Sequence, residues 1–345
     1  TWSETALQST PAISSPAPDL VVAGDGKLYG TTSGGGTFGY GSIFAFDPAT
    51  SALQVVHSFA GPDGARPDSG LTPGADGFLY GVTPQGGGPD WLTGTGPRGT
   101  IFRFDPASST LTTLHVFAFV SGQSFPTGAS PGGRLTLASD GMLYGTTSAS
   151  GPGGQGTAFR LDPVSGTLTT VYAFSTPGPA RPESGLVEGP DGALYGTTYN
   201  GGAANLGTVF RLEKSGVLTT LRSLSTADGA LPLAELHVEP DGTLYGSTTN
   251  GGTHGYGTVF VASPAGAFTV LHAFTGTTSQ GGRPVAALVR LEDGDLYGIA
   301  PVPGYAWASL FRLTPGGSFT SGLALFTLGT RDMVQAADGT LYGIS

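Results

Sequence analysis

His254 and Tyr256 are the side chains in this sequence best suited to moving a proton. They lie two positions apart in a Gly-rich segment that differs between copies of an internal repeat. An imidazole titrates near neutral pH, and a phenol can donate or accept a proton. If the protein is an enzyme, this pair favours polysaccharide lyase or glycosidase chemistry. The residue types alone leave enzymatic activity open.

Four arginines could receive an anionic ligand, because a guanidinium offers a planar fork of donors to carboxylate, sulfate or phosphate. They are Arg66, Arg181, Arg283 and Arg331, each in a segment that precedes a repeat copy. Asp68 and Glu183 follow two of them by two residues, so local ion pairing is the alternative role.

Aromatic residues are concentrated in the same variable segments. They are Phe38 with Tyr40, Tyr305 with Trp307, and Trp91, which shares the segment 84–98 with Arg98. Flat amphipathic rings suit stacking against sugar faces and also suit a protein interface. The alternatives are that the tyrosines pack on the following repeat and that Trp91 fills a gap beneath its own loop.

Composition excludes several functions. The net charge of −10 and the low lysine content argue against a nucleic-acid partner, which needs a basic footprint. The chain contains no cysteine, no apolar run long enough for a transmembrane helix and no calcium-loop or phosphate-binding motif. We therefore expect no metal, no cofactor and no membrane span, and we interpret Thr1 as the start of a processed, exported chain.

The strands that must position these residues are predicted by one sequence motif that occurs seven times. Asp-Gly-x-Leu-Tyr-Gly begins at Asp25, Asp76, Asp140, Asp191, Asp241, Asp293 and Asp338. Asp-Gly between apolar runs predicts a tight hairpin, and a period near fifty residues is typical of propeller blades (roughly 40 to 50). Each copy predicts four antiparallel strands, A to D, so the sequence favours an all-β, seven-bladed β-propeller forming a single domain over residues 1–345.

Ring closure has two interpretations. The segment 1–19 could supply a strand to the last blade, since residues 5–9 resemble a strand D. The alternative is six blades plus a loose hairpin, because the seventh copy contains no recognisable strand C.

Two neighbouring connections differ in length from their equivalents in the other repeat copies. The segment between strands B and C is fifteen residues long in blade 2 (84–98) but eight in most blades, and the D–A segment that follows (118–134) is also long. Both lie on the same rim in a propeller, so we expect the binding surface there.

Four phrases of the fourth copy resemble the GloVer tandem repeat of bacterial choice-of-anchor tandem repeat proteins: 194–198, 201–202, 207–212 and 218–221. The resemblance extends over nearly the whole chain. It implies a secreted, periplasmic or cell-surface setting and no single activity.

Together these features predict a binding or adhesion module for extracellular glycan, with the arginines favouring an anionic one. A lyase or glycosidase on the same rim and a scaffold for another surface protein are the alternatives.

Overall fold

The computed structural model describes residues 13–17, 20–92, 96–123, 125–291, 293–305, 307–325, 333–335 and 341–343. These residues form β-strands, turns and irregular segments. The described part of the chain contains no helix that could cross a membrane. Contacts divide the chain into two compact units, an N-terminal unit up to Phe174 and a C-terminal unit from Ser175.

The N-terminal unit contains three antiparallel sheets. Blade 1 consists of β1 (Ile13–Pro16), β2 (Val21–Val22), β3 (Leu28–Gly35), β4 (Ser42–Asp47) and β5 (Ala52–Ser58). Blade 2 consists of β6 (Thr72–Pro73), β7 (Leu79–Thr83), β8 (Thr100–Asp105) and β9 (Thr110–Val116). Blade 3 consists of β10 (Ala129–Leu137), β11 (Leu143–Ala149), β12 (Thr157–Leu161) and β13 (Leu168–Ala173).

The C-terminal unit contains three more blades. A short pair, β14 (Pro179–Ala180) and β17 (Asn200–Gly201), flanks blade 4, which consists of β15 (Val187–Glu188), β16 (Leu194–Thr198), β18 (Thr208–Leu212) and β19 (Leu218–Ser223). Blade 5 consists of β20 (His237–Val238), β21 (Leu244–Thr248), β22 (Thr258–Ala262) and β23 (Phe268–Ala273). Blade 6 consists of β24 (Val289–Arg290), β25 (Leu296–Pro301), β26 (Ala308–Leu313) and β27 (Phe319–Leu325).

The prediction of seven blades is wrong: the fold is a β-propeller with six blades, which are four-stranded antiparallel sheets. In blade 1 the strand A position is shared by two short strands, β1 and β2. Among the residues described there, the seventh repeat copy forms a two-stranded hairpin, β28 (Met333–Gln335) with β29 (Leu341–Gly343). The described N-terminal strand, β1, pairs with β3 of blade 1 rather than with that hairpin. Residues 5–9, predicted as a strand of the last blade, lie outside the described residues. The alternative of six blades plus a hairpin is therefore confirmed.

The repeated aspartate organises each A–B hairpin. In blade 2, Asp76 accepts a bond from the Phe78 N–H through Oδ1 (3.2 Å) and one from the Tyr80 hydroxyl through Oδ2 (2.6 Å). Such aspartate bonds to a nearby N–H stabilise tight turns. Burial and the neighbouring carboxylate raise the pKa of the equivalent Tyr144 to about 12, so the phenol stays a neutral donor.

The Leu, Tyr and Gly residues of the repeated motif form the core of each blade. Leu244 and Tyr245 are buried, and Gly246 lies opposite the buried Phe260 of strand C. A methyl group on Gly246 would lie 2.5 Å from the Phe260 ring, so the glycine makes room for the ring. The repeated motif is therefore explained by packing that recurs in each blade, and we look for ligand-binding or catalytic residues in the connecting loops.

Candidate functional site

The B–C and D–A connections lie together at one edge of the blades within each unit. In the N-terminal unit, the Ala65 N–H donates to the Gln85 carbonyl (2.8 Å) and the Gly87 N–H to the Gly61 carbonyl (2.9 Å). These bonds join the D–A connection after blade 1 to the long B–C loop of blade 2. Both expanded segments also meet, since the Arg98 N–H donates to the Phe117 carbonyl (2.8 Å) and the Ser130 N–H to the Arg98 carbonyl (2.9 Å).

A pre-proline position recurs before strand A of each blade, and at Arg66, Ser130, Leu231 and Arg283 its N–H donates to a carbonyl in the B–C loop of the preceding blade. It comprises Ser15, Arg66, Ser130, Arg181, Leu231 and Arg283, and in all six φ lies between 51° and 56°. The N–H groups of Arg66, Leu231 and Arg283 donate to the carbonyls of Tyr40, Leu206 and Tyr256 at 2.7, 2.9 and 2.7 Å. Because this hydrogen bond joins main-chain atoms only, it does not determine which side chain stands at the pre-proline position. Sequence reasoning missed this position, although a residue-proline pair starting five residues before each strand A leucine is visible in the sequence.

Tyr40 and Trp91 are half-buried and pack on each other in the N-terminal unit, and Tyr40 also packs on the core of blades 1 and 2, as the packing alternative predicted. Their rings are 4.9 Å apart in an edge-to-face arrangement, and the Trp91 ring also lies against Gly61. Phe38 is 57% exposed and Leu92, next to Trp91, is 75% exposed. We call these four residues the aromatic surface. Trp91 is half-buried, and it packs on loops from the preceding blade, not only beneath its own loop.

Arg98 extends this edge of the molecule towards blade 3. Its guanidinium lies 5.6 Å from the centre of the Phe125 ring, a cation-π distance. Phe125 is buried and meets the partly exposed Phe119 edge to face. Arg98 therefore also has a packing role.

The predicted arginines differ in their surroundings. Arg181 is paired with Glu183 at 2.6 Å and lies over the Tyr199 ring, so the ion-pair alternative holds for it. Arg66 and Arg283 are exposed, and their side chains form no ion pair or hydrogen bond with the residues that the structure describes. Arg331 lies outside those residues.

His254 and Tyr256 are close in sequence but differ in surroundings. His254 is exposed, whereas Tyr256 is half-buried with its ring against Gly276 and Gly282 of the next D–A connection. This is the packing alternative for the tyrosine, and Leu206 occupies the same place in blade 4. The structure therefore gives Tyr256 a packing role between blades 5 and 6.

Tyr305 and Trp307 lie on the B–C loop of blade 6, with ring centres 5.8 Å apart. Tyr305 is 53% exposed and Trp307 is half-buried. They form a smaller aromatic pair in the C-terminal unit.

The recurrent histidines of strand D have structural surroundings. His57 bonds to Asp63 at 2.9 Å, and His115 and His272 pack on Phe117 and Phe274. Burial lowers the pKa of His115 and His272, which favours the neutral ring. Across the described residues, no three His, Asp or Glu side chains converge as metal ligands.

Comparison with known proteins identifies the repeat. The sequence profile of the Gloeobacter/Verrucomicrobia repeat matches residues 4–189 and 130–345, which confirms the resemblance seen in the sequence. No curated protein matches the chain.

Several solved structures share the fold. The periplasmic gluconolactonase PpgL of Pseudomonas aeruginosa is 22% identical, with a TM-score of 0.58 over 90% of this chain and 87% of that one. Hydrazine synthase of Kuenenia stuttgartiensis is 14% identical, with a TM-score of 0.63 over 98% and 96%. A chain of the nidogen/laminin complex is 14% identical, with a TM-score of 0.51 over 83% and 90%. At these identities the likeness shows the propeller fold alone.

The two profile matches overlap and together cover the chain from residue 4 to its last residue, so the chain belongs to the Gloeobacter/Verrucomicrobia repeat family.

Proposed function

We propose that this protein is an exported binding module that recognises extracellular glycan through the aromatic surface of its N-terminal unit. The observation that carries the proposal is the Tyr40–Trp91 pair, flanked by the exposed Phe38 and Leu92. Aromatic rings held on fixed loops can stack on the apolar faces of sugars at a low cost in entropy.

The support of this surface by main-chain bonds strengthens the proposal. The Tyr40 carbonyl accepts the Arg66 N–H, and the Gly61 carbonyl accepts the Gly87 N–H. Both rings therefore stand on loops fixed to two blades. A preorganised surface loses little freedom when a ligand binds.

The enzymatic alternative has less support. Tyr256 packs on glycines of the adjacent connection, and His254 has no described hydrogen-bond partner that would orient its ring as a general base. The gluconolactonase relative shares the fold at low identity, which carries no activity to this chain.

The exported setting rests on two observations. The sequence resembles the repeat of bacterial choice-of-anchor proteins, which implies a surface or exported setting, and one solved structure of the same fold is described as periplasmic. The nidogen/laminin relative belongs to a protein complex, so a protein partner is the competing proposal.

A polysaccharide panel tests the function. Wild-type protein should bind at least one neutral or acidic glycan, and Phe38→Ala should weaken that binding by roughly fivefold, because one exposed stacking ring is lost. Val164→Ala is the matched control, since Val164 is 91% exposed on a C–D turn at the other edge of blade 3. Equal losses in both variants, or no glycan bound by the wild type, would contradict the proposal.

The same panel separates the alternatives. New ultraviolet absorbance from an unsaturated product, abolished by His254→Ala, would support the lyase. Recovery of one specific surface protein by an immobilised wild-type chain, lost in Phe38→Ala and without glycan binding, would favour the scaffold.

A further inference from the structure

We infer that Arg66 and Arg283 form two equivalent anion subsites, which take the carboxylate or sulfate groups of an acidic glycan. This inference rests on the proposed function and names the class of ligand.

The two arginines have the same structural position in different units. Each precedes a proline, each has φ of 56°, and each donates its N–H to a tyrosine carbonyl at 2.7 Å: Arg66 to Tyr40 and Arg283 to Tyr256. Each subsite thus places a guanidinium-bearing residue next to a tyrosine-bearing loop of the preceding blade.

The scaffold does not require arginine at this position. Leu231 makes the same main-chain bond to the Leu206 carbonyl, and Ser130 makes it to the Arg98 carbonyl. A left-handed backbone favours glycine, so a long side chain there brings no conformational benefit. A function of the guanidinium itself would account for the arginine.

The charges of both side chains are available. Arg66 and Arg283 are exposed, and no described residue forms an ion pair or hydrogen bond with either guanidinium. Arg181, at the same position in blade 4, is neutralised by Glu183 at 2.6 Å and serves as an internal comparison.

The guanidinium also matches the ligand. It can donate two parallel N–H bonds to a carboxylate or a sulfate, and these bonds are stronger than neutral ones. The protein carries a net charge of −10, which repels a polyanion at long range. Recognition must therefore depend on local contacts.

Matched polymers test the inference with the full-length chain. The probes are polygalacturonate and its methyl ester, which differ in carboxylate charge, and dextran sulfate with dextran, which differ in sulfate. We expect the acidic member of at least one pair to bind about fivefold tighter. A preference within the first pair identifies carboxylate as the ligand group, and one within the second identifies sulfate.

Glycine variants locate the effect. Arg66→Gly and Arg283→Gly should each reduce the preference for the acidic polymer, and the double variant should abolish it. Leu231→Gly and Arg181→Gly are controls at the same backbone position, and they should keep the preference. Thermal unfolding checks that every variant is folded. Arg66→Gly and Arg283→Gly should unfold at the wild-type temperature or above it, since glycine fits the left-handed backbone and both side chains are exposed.

Failure of the inference is distinguishable from failure of the proposed function. Equal binding of acidic and neutral polymers, or a preference unchanged in the double glycine variant, would overturn the two subsites while glycan binding stands. Absence of binding to every polymer would overturn both.

Discussion

Arg222 and Asp228 show how single residues fix the D–A connections. Two nitrogens of Arg222 donate to the Asp228 carboxylate, at 3.1 and 2.7 Å, and Ser225 donates through its N–H and its hydroxyl. Burial by itself would raise the pKa of Asp228, but these bonds more than offset it and the pKa is lowered. His57 and Asp63 form the corresponding pair in blade 1.

Removal of the arginine from this pair should be costly. Arg222→Ala leaves a carboxylate whose side chain is 9% exposed without its cation, so we expect the free energy of unfolding to fall by about 2 kcal/mol. Arg66→Ala is the control, because no described residue pairs with that side chain, and it should change stability by less than about 0.5 kcal/mol. Urea unfolding followed by tryptophan fluorescence measures both, and equal effects would contradict this account of the pair.

The blade is an element whose register is set by close packing of strand B on strand C. Gly246 faces Phe260, and Leu236 of the strand A side lies 2.7 Å from where a methyl group on that glycine would be. The equivalent Phe and Leu side chains lie similarly close to Gly196 and Gly298 in blades 4 and 6. Interiors packed at this density tolerate added volume poorly.

An alanine at one such glycine should destabilise the blade. Gly246→Ala should lower the free energy of unfolding by about 1 to 3 kcal/mol, because the Phe260 ring must move. Gly316→Ala is the control, since its nearest neighbour would be 3.9 Å away, and it should be neutral or slightly stabilising. Thermal unfolding of the two variants checks this, and a stable Gly246→Ala protein would show that the ring has room to shift.

At the scale of the whole molecule, aspartates outnumber cations and many of them are engaged. Hydrogen bonds from His57, Arg211 and Arg222 help to lower the pKa values of Asp63, Asp191 and Asp228, against the opposing effect of burial. In the unfolded chain these groups would titrate near 3.8. The unfolded state therefore binds more protons as the solution is acidified.

Stability should consequently be lost at low pH. Because the folded pKa values lie below the ordinary value, the contribution is complete above about pH 5 and disappears as pH falls through the folded pKa values. We expect the urea midpoint to be lower at pH 3 than at pH 7, with light scattering used to exclude association near the isoelectric point of about 4.7. An unchanged midpoint would mean that these bonds contribute nothing net to stability.

The sequence alone determined the all-β propeller class but not its number of blades. It also determined the A–B hairpins, the C–D turns and the strand A leucines, since each depends on neighbours close in the chain. It also contained a signal against the seventh blade: the pre-proline pair before strand A is Arg66–Pro67 in blade 2 but Leu328–Gly329 in the seventh copy. Arg331 likewise lies two residues before Met333, not five, so it does not share the repeat position of Arg66.

Only the tertiary structure decided which side chains meet. Tyr40 and Trp91 are fifty-one positions apart, and Arg66 reaches Tyr40 across two strands, so their contacts depend on how neighbouring blades pack. The same holds for the charges: Arg181 is paired with a carboxylate, whereas Arg66 and Arg283 are paired with none in the part of the chain that the structure describes, although all three share one repeat position. Local spacing specifies hairpins, whereas the geometry between blades selects the residues that are left available to a ligand.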